Sequence, residues 1–397
     1  MRDRSGEPGL GGLPERLEAE LAALRERSEF RTLENPPGIN LYSNDYLGLA
    51  RDPRLKAAAL RALEEVESVG ATGSRLLSGN STAWEELEED FARFAATEAA
   101  LYFGSGYAAN VGLISSIVGR GDFIFSDKSN HASLIDGMRL SGAEKIIYPH
   151  CDMGFLESAL RDHAARPGAK LIVTESVFSM EGDVAPLEPM VELAERYGAS
   201  VVVDEAHATG VCGPEGRGLV VSARLEPRVL ACVHTCGKAL ASTGAFVCGS
   251  RALRDYLINR ARTFIFTTAT PAYTAGQIRG ALALAHEADD RREHLVVLAS
   301  VLRGALRDAG LDCGTSSTHI VPVLLGSNEA TLHVAGELQR AGFAARAIRP
   351  PTVPVGSSRL RLSLTASVSL DDVRRLASAV EAARESLPQI ATSPVHA

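Results

Sequence analysis

The sequences VVVDEAHATG, residues 201–210, and HTCGKALAS, residues 234–242, decide the fold of this chain. The apolar run 199–203 predicts a buried strand, so Asp204 stands at its carboxyl end, where open α/β sheets bind ligands. Lys238 follows in a turn beside a glycine and is near enough in sequence to reach the same crevice. A carboxylate that keeps a ring nitrogen protonated and a lysine that forms a Schiff base are two parts of a pyridoxal phosphate site.

The segments around this pair repeat one pattern, in which short apolar runs alternate with amphipathic stretches of helix length. The runs are residues 100–103, 123–125, 170–174, 200–203, 229–233 and 244–248. Strands that alternate with helices form a mostly parallel sheet with helices on both faces. The pattern therefore predicts an α/β protein.

The last third of the chain has a different pattern. A long helical segment rich in Ala, Leu and Arg covers residues 281–308 and predicts a hinge into a smaller α+β domain. The strands expected there are residues 319–325, 344–348 and 359–363. We expect three parts, namely an N-terminal arm and helix at 1–45, a large cofactor-binding domain at 46–285 and a small C-terminal domain at 286–397.

The composition is that of an ordinary globular protein, with 397 residues, 45% apolar and 23% charged. A formal net charge of -8 argues against a nucleic-acid partner, because such binding depends on clustered Lys and Arg. The N-terminus lacks the apolar core of a signal peptide and no apolar stretch approaches a membrane span, so we expect a cytoplasmic protein without a membrane partner. The six cysteines are too sparse for a disulfide framework, and we expect no metal site.

Two motifs also fit other enzyme classes. FGSGYAANVG, residues 103–112, follows an apolar run and precedes a helix, so its backbone N–H groups predict a cradle for phosphate. The same letters match the dinucleotide pattern G-x-G-x-x-A from Gly104 to Ala109, but no convincing ribose-binding acid follows the next strand. DEAH, residues 204–207, also occurs in helicases, but the chain has no P-loop.

Each candidate residue taken alone also has an ordinary structural explanation. Asp204 could cap a helix or form an ion pair, and His207 could be a hydrogen-bonded loop histidine. Most lysines are solvated, but the apolar residues around Lys238 indicate burial, which lowers the pKa of a lysine. Thr235 offers a hydroxyl to a phosphate, and His131 in SNHASLIDG could stack on a flat ring.

Eight motifs in order resemble those of the α-oxoamine synthases, which are fold-type I pyridoxal phosphate enzymes that condense an amino acid with an acyl thioester. The motifs are NDYLGLA (44–50), TGSRLLSGN (72–80), FGSGYAAN (103–110), NHASLIDG (130–137), ESVFSMEGD (175–183), VDEAHATGVCGPEGRG (203–218), TCGKAL (235–240) and AIRPPTVPVGSSRLRLSLTA (347–366). The resemblance implies a large domain with a mostly parallel seven-stranded sheet sandwiched by helices and a smaller α+β C-terminal domain.

By motif position, the resemblance also implies a role for each candidate residue. Lys238 would form the Schiff base with pyridoxal phosphate, Asp204 would pair with the ring nitrogen, His207 would bond the phenolic oxygen and His131 would stack on the ring, and these four are the expected catalytic residues. The further cofactor contacts would be Ser179, Gly106, Tyr107, Thr235 and, from a neighbouring subunit, Thr267 or Thr268. The substrate contacts would be Arg361 as a bidentate fork for the amino-acid carboxylate, Asn44, His131 and, for the acyl substrate, Thr352 and Arg31.

Within the family, AIRPPTVP (347–354) and DEAHATG (204–210) resemble the member of the biotin pathway. The substrates it implies are L-alanine and pimeloyl-CoA or pimeloyl-ACP, and the assembly it implies is a homodimer with active sites at the interface. The alternative is a glycine-using relative such as glycine C-acetyltransferase, or another α-oxoamine synthase. One departure is Ala241, which stands where the family often carries a glycine.

Overall fold

A computed structural model describes residues 12–387 of the chain. The first eleven residues of the expected arm and the last ten of the expected C-terminal domain lie outside the described residues. Between residues 12 and 387, no helix is both long enough and apolar enough to cross a membrane.

Seven strands form the central sheet, in the order β2-β8-β7-β6-β5-β3-β4. All neighbouring pairs are parallel except those that β8 makes with β2 and β7. The strands of the described chain are β1 Ile39–Asn40, β2 Ala99–Phe103, β3 Phe123–Asp127, β4 Glu144–Tyr148, β5 Lys170–Glu175, β6 Ser200–Asp204, β7 Ala231–Thr235, β8 Ala245–Gly249, β9 Ile320–Gly326, β10 Phe343–Ala344, β11 Ala347–Ile348 and β12 Ser358–Ser363.

Helices cover both faces of this sheet, because side chains of the buried strands alternate between two cores. On β6, Val202 packs in one core, whereas Val201 and Val203 pack in the other. The helices are α1 Leu13–Glu26, α2 Pro53–Glu65, α3 Thr82–Phe94, α4 Gly106–Ile117, α5 Ala132–Ser141, α6 Met153–His163, α7 Leu187–Tyr197, α8 Leu219–Ser222, α9 Arg251–Arg260, α10 Arg262–Ile265, α11 Tyr273–His286, α12 Asp289–Asp308, α13 Asn328–Arg340 and α14 Leu370–Glu385. The predicted α/β fold with a mostly parallel seven-stranded sheet is confirmed.

Four local predictions differ from the structure. The strand expected at 344–348 is two short strands in different sheets, β10 Phe343–Ala344 and β11 Ala347–Ile348. Strand β4 was not predicted, because its sequence EKIIY is half polar and lies at the edge of the sheet, where only one residue is buried. Strand β7 begins and ends two residues later than predicted, at Ala231 and Thr235. The helical segment predicted at 281–308 is two helices, since α11 ends at His286 and α12 starts at Asp289.

A smaller antiparallel sheet, β11-β12-β9, lies in the C-terminal part of the chain. Helices α12, α13 and α14 contact one another or this sheet. The N-terminal segment joins the same region, because β1 pairs in parallel with β10. The boundaries predicted at residues 45 and 285 stay predictions.

A half-buried histidine ties the central sheet to the C-terminal part of the chain. His150 bonds Asp127 through Nδ1 and Asp183 through Nε2, both at 3.0 Å, and Asp183 also accepts a hydrogen bond of 2.6 Å from the hydroxyl of Thr315. Burial opposes a charge on His150, but the bonds to the two carboxylates outweigh burial and raise its pKa to about 12. The ring is therefore an imidazolium held between two acids.

The residues just before Asp183 are held in the same way. The carbonyl of Gly182 accepts hydrogen bonds from the N–H groups of Ser317 and Thr318. Arg359 on β12 forms an ion pair with Glu181 at 3.4 Å. The segment 179–183, which carries one predicted site residue, is thus positioned by the C-terminal part of the chain.

We expect His150→Gln to lower the free energy of unfolding by about 2 kcal/mol at pH 6, the usual contribution of hydrogen bonds to a charged group. Because the folded pKa of His150 is raised, its stabilisation is complete below the unfolded pKa and is lost as pH rises toward the folded value. The difference between variant and wild type should therefore shrink by pH 9. Urea denaturation at both pH values measures it, with His333→Gln on α13 as the reference, and a difference that grows with pH would contradict the assignment.

Candidate active site

The carboxyl ends of the parallel strands meet at one edge of the central sheet and border a cavity of about 310 Å³. Strands β5, β6 and β7 end there at Glu175, Asp204 and Thr235. Eight of the predicted site residues line this cavity, namely Asn44, Gly106, Tyr107, His131, Asp204, His207, Thr235 and Lys238. The structure therefore brings together residues from five of the eight motifs.

Asp204 is held in place by two hydrogen bonds. Asn110 on α4 donates from Nδ2 to Oδ2 at 2.6 Å, and the backbone N–H of Ala206 donates to Oδ1 at 2.8 Å. The adjacent Glu205 points away from the cavity and accepts hydrogen bonds from two backbone N–H groups at the start of α8. Only one of the two neighbouring carboxylates therefore faces the cavity.

Lys238 lies in the turn after β7, with its Nζ atom 2.8 Å from Nε2 of His207. Burial lowers the pKa of Lys238 to about 8, although the carboxylates of Asp204 and Glu175 oppose this shift. Burial and the charge of Lys238 hold the pKa of His207 well below its ordinary value, so this ring is neutral. A fraction of the Lys238 amine is consequently neutral near pH 7, as a nucleophile requires.

The turn that carries Lys238 contains a residue in the left-handed region. Ala241 has φ of 47°, and its N–H group donates to the carbonyl of Lys238 at 2.8 Å. Glycine adopts this conformation freely, whereas a residue with a Cβ atom pays about 1–2 kcal/mol. This conformation gives a physical reason for the glycine that the family often carries here.

His131 reaches the cavity from the start of α5. Its Nδ1 atom lies 2.8 Å from the hydroxyl of Ser133, and its backbone N–H donates to Oε1 of Glu175 at 2.6 Å. Burial, reinforced by the charge of Asp204 beside it in the sheet, raises the pKa of Glu175 well above its usual range. Through this hydrogen bond, Glu175 supports the backbone of His131.

The first turn of α4 forms a cradle for an anion beside Thr235. Ser105 caps the helix by accepting a hydrogen bond from the N–H of Ala108, and the N–H groups of Gly106 and Tyr107 have no acceptor within the helix. A Cβ atom at Gly106 would lie 2.7 Å from the methyl group of Thr235, so only glycine allows this close approach. Free N–H groups at a helix N-terminus fit a phosphate group.

Three predicted cofactor contacts lie outside the cavity lining. Thr267 and Thr268 are exposed in the loop after α10, where they border a separate small pocket with Gly104. Ser179 is buried, and its carbonyl accepts a hydrogen bond from Arg361.

Arg361 on β12 lies behind Asn44 and is almost fully engaged with its own chain. Its Nε donates to the carbonyl of Ser179, its Nη1 to Asn44 at 3.1 Å and Ser363 at 2.5 Å, and its Nη2 to the hydroxyl of Tyr46 at 3.3 Å. A guanidinium has five N–H groups, so about one remains free. The predicted bidentate grip on a carboxylate requires at least one of these bonds to open.

Arg31 and Thr352, the residues predicted for the acyl substrate, contact each other at the surface. Arg31 donates from Nη2 to the carbonyl of Pro350 at 3.2 Å and to the hydroxyl of Thr352 at 3.4 Å. Both residues are exposed and neither lines the cavity. The structure therefore groups these two residues with each other and apart from Lys238.

Four residues that shape the site were not singled out from the sequence, namely Tyr46, Asn110, Ser133 and Glu175. Each lies inside one of the quoted motifs. Asn110 carried a usable signal, because it is the one polar residue among the buried positions of α4. Glu175 carried another, because it is a charged residue at the end of a buried strand.

Comparison with known proteins identifies the family. Residues 36–380 match the model of the aminotransferase class I and II family. A protein of Bacillus cereus (strain Q1), named putative 8-amino-7-oxononanoate synthase, is 45% identical over 371 residues, which cover 90% of this chain and 94% of that protein.

Solved structures agree with this assignment. A serine palmitoyltransferase from S. paucimobilis, with a bound PLP–myriocin aldimine, is 31% identical, with a TM-score of 0.86 over 95% of this chain and 99% of that chain. An 8-amino-7-oxononanoate synthase from Francisella tularensis is 28% identical, with a TM-score of 0.76 over 87% of this chain and 97% of that chain.

The chain belongs to the aminotransferase class I and II family and is a pyridoxal phosphate-dependent enzyme of fold type I. Its resemblance to the α-oxoamine synthases, and among them to 8-amino-7-oxononanoate synthase, is confirmed. The donor set of the cavity fits the cofactor, because it offers a half-buried amine, a carboxylate and an anion cradle within one space.

We expect Lys238 in the cofactor-free protein to react with acetic anhydride with a midpoint near pH 8, because burial favours its neutral amine. Peptide mass spectrometry measures the labelled fraction at each pH, and the exposed Lys56 on α2 serves as the internal reference for reagent activity. A midpoint near 10.5, the ordinary value for lysine, would show that the amine is not desolvated.

Proposed function

We propose that this enzyme condenses L-alanine with a pimeloyl thioester, either pimeloyl-CoA or pimeloyl-ACP, in biotin biosynthesis. The products are 8-amino-7-oxononanoate, carbon dioxide and the free thiol. The observation that carries the proposal is the half-buried Lys238 in one cavity with Asp204 and His207, in a chain 45% identical to a relative named for this reaction.

The cavity supports the following assignment of cofactor contacts. Lys238 would hold the cofactor covalently, Asp204 would pair with the ring nitrogen and His131 would stack on the ring. The first turn of α4, together with Thr235, receives the phosphate. Asp204 suits its role because Asn110 and Ala206 fix both of its oxygens, so the carboxylate needs no reorganisation during the reaction.

Lys238 is also proposed to move the proton of the reaction. Pyridoxal phosphate, when bound, supplies a ring that accepts the electron pair left at Cα of the amino acid. When it is not bound to the cofactor, the Lys238 amine would be a base of suitable strength, because burial has lowered its pKa toward neutrality. Lys238 then takes the Cα proton at Nζ.

Arg361 is proposed to bind the carboxylate of alanine. Arg361 is buried and lies next to Asn44, which lines the cavity. The hydrogen bonds to four of its N–H groups hold the guanidinium in one orientation and so fix the position of the fifth N–H group, which is free. Arg31 and Thr352 are proposed to contact the acyl substrate at the outer end of the site. In a homodimer, Thr267 or Thr268 is proposed to reach the cofactor phosphate in the site of the second subunit. Both residues are exposed and lie away from the cavity of their own chain.

An assay of amino acids against acyl thioesters tests the function. The loaded enzyme is given L-alanine, glycine or L-serine with pimeloyl-CoA, pimeloyl-ACP, acetyl-CoA or palmitoyl-CoA, and the product is identified by mass spectrometry. We expect the highest kcat/KM for L-alanine with a pimeloyl thioester, and no turnover by Lys238→Ala. Preference for glycine with acetyl-CoA would instead indicate glycine C-acetyltransferase, and preference for L-serine with palmitoyl-CoA would overturn the proposal.

We expect Asp204→Asn to bind pyridoxal phosphate but to lose about a hundredfold in kcat, because a neutral amide no longer stabilises the protonated ring nitrogen. Steady-state kinetics and the visible absorbance of the bound cofactor measure the two effects separately. Glu205→Gln is the matched control, since Glu205 is the next residue and fully buried but faces away from the cavity. Equal losses in both variants would argue against the role of Asp204.

A further inference from the structure

Tyr46 lies at the centre of the hydrogen-bond network behind the cavity, yet it has no role in the assignments above. It belongs to the motif NDYLGLA and is fully buried. Its ring packs edge-on against His319, with centroids 4.0 Å apart. Its position is therefore fixed, and only its hydroxyl proton is free to rotate.

The hydroxyl of Tyr46 links three side chains of the candidate active site. It lies 2.6 Å from Nδ1 of His207, 3.0 Å from Oδ1 of Asn44 and 3.3 Å from Nη2 of Arg361. Through His207 it connects to Lys238, whose amine is 2.8 Å from Nε2. A continuous chain of hydrogen bonds thus runs from Arg361, which is proposed to bind the substrate carboxylate, to the amine of Lys238.

The proton positions along this chain follow from the chemistry of each group. Arg361 can only donate, so the oxygen of Tyr46 accepts from it. Burial raises the pKa of Tyr46, so its phenol keeps its proton, and His207 is neutral with one N–H group. The proton of Tyr46 therefore points either to His207 or to Asn44.

These two directions correspond to two states of Lys238. A charged ammonium has no lone pair, so Nε2 of His207 must accept from it, Nδ1 carries the proton and donates to Tyr46, and Tyr46 donates to Asn44. When the amine is neutral or engaged elsewhere, Tyr46 can donate to Nδ1 instead. His207 then presents an Nε2–H group to the cavity, which is the form needed to donate to an oxygen of the cofactor.

We propose that Tyr46 is a positioning residue whose hydroxyl sets which nitrogen of His207 carries the proton and couples that choice to Arg361. A carboxylate that binds Arg361 bidentately must open one of its existing bonds, and the bond to Tyr46 is the longest of those to side chains. Substrate binding is thereby communicated to His207 and Lys238. This inference rests on the proposed roles of Arg361 and His207 but not on the identity of the substrates.

Other titratable groups surround this network and stay in place in the variants below. Those that face Lys238, His207 or Tyr46 from the surrounding elements are Asp204, Glu175, His131, His319, Cys212 and Arg361. Among the hydrogen bonds of residues 12–387, none of these groups bonds Nδ1 of His207, whose partner there is the Tyr46 hydroxyl.

Tyr46→Phe tests the proposal in the cofactor-free protein. Without the hydroxyl, a charged Lys238 would force His207 to bury an unpaired Nδ1–H group, which is costly, whereas a neutral amine would not. We therefore expect the pH midpoint for acetylation of Lys238 to fall by at least about half a unit, equivalent to roughly 0.7 kcal/mol. A purely structural role of Tyr46 would lower stability without moving this midpoint.

Tyr102→Phe is the matched control, because Tyr102 is also a buried tyrosine whose hydroxyl bonds a threonine outside the network. In Tyr102→Phe, the pH midpoint for acetylation of Lys238 should equal that of the wild type. An unchanged midpoint in Tyr46→Phe, or an equal shift in both variants, would overturn the proposal. Because this measurement needs neither cofactor nor substrate, its outcome is independent of the assay that tests the proposed function.

In the loaded enzyme, Tyr46→Phe should lower kcat/KM for the amino acid by about tenfold, the effect of losing one hydrogen bond to a charged network. The pH profile of kcat/KM should shift in the same direction as the labelling midpoint. A loss confined to kcat/KM of the acyl thioester would contradict the coupling to Arg361.

Discussion

The desolvation of the Lys238 amine is the constraint on which the site depends. A buried ammonium is unfavourable unless other groups compensate its charge, and here they do so only in part, which keeps a neutral amine accessible. The compensating carboxylates of Glu175 and Asp204 are the last residues of β5 and β6, and they are paired in register. The parallel sheet therefore sets the electrostatic environment of Lys238, because the ends of its strands fix the positions of both carboxylates.

The C-terminal part of the chain completes this arrangement from the other side. Arg361 reaches Ser179 and Asn44, while Arg359 and His150 hold the residues between Ser179 and Asp183. The group proposed to bind the substrate carboxylate and the groups around the cofactor are therefore not independent. A displacement of the small sheet would change the position of Arg361 and the backbone at Ser179 together.

The sequence was sufficient for the fold class and for the residues at strand ends, because buried parallel strands are apolar and polar residues after them are conspicuous. It missed β4, whose edge position leaves its residues largely exposed. It also could not reveal Tyr46 as a link between His207 and Arg361, since these residues are far apart in the chain and meet only in the folded protein. Hydrogen-bond partners of this kind carry no periodic signal.

The pairing of β1 with β10 has a consequence for synthesis of the chain. Ile39 leaves the ribosome about 300 residues before its partner Phe343, and at about 5–20 residues per second this delay amounts to tens of seconds. During this interval Asn44 and Tyr46 have no final position, even if the central sheet has already formed. The cavity can therefore reach its finished shape only after Phe343 has been synthesised and β10 has paired with β1.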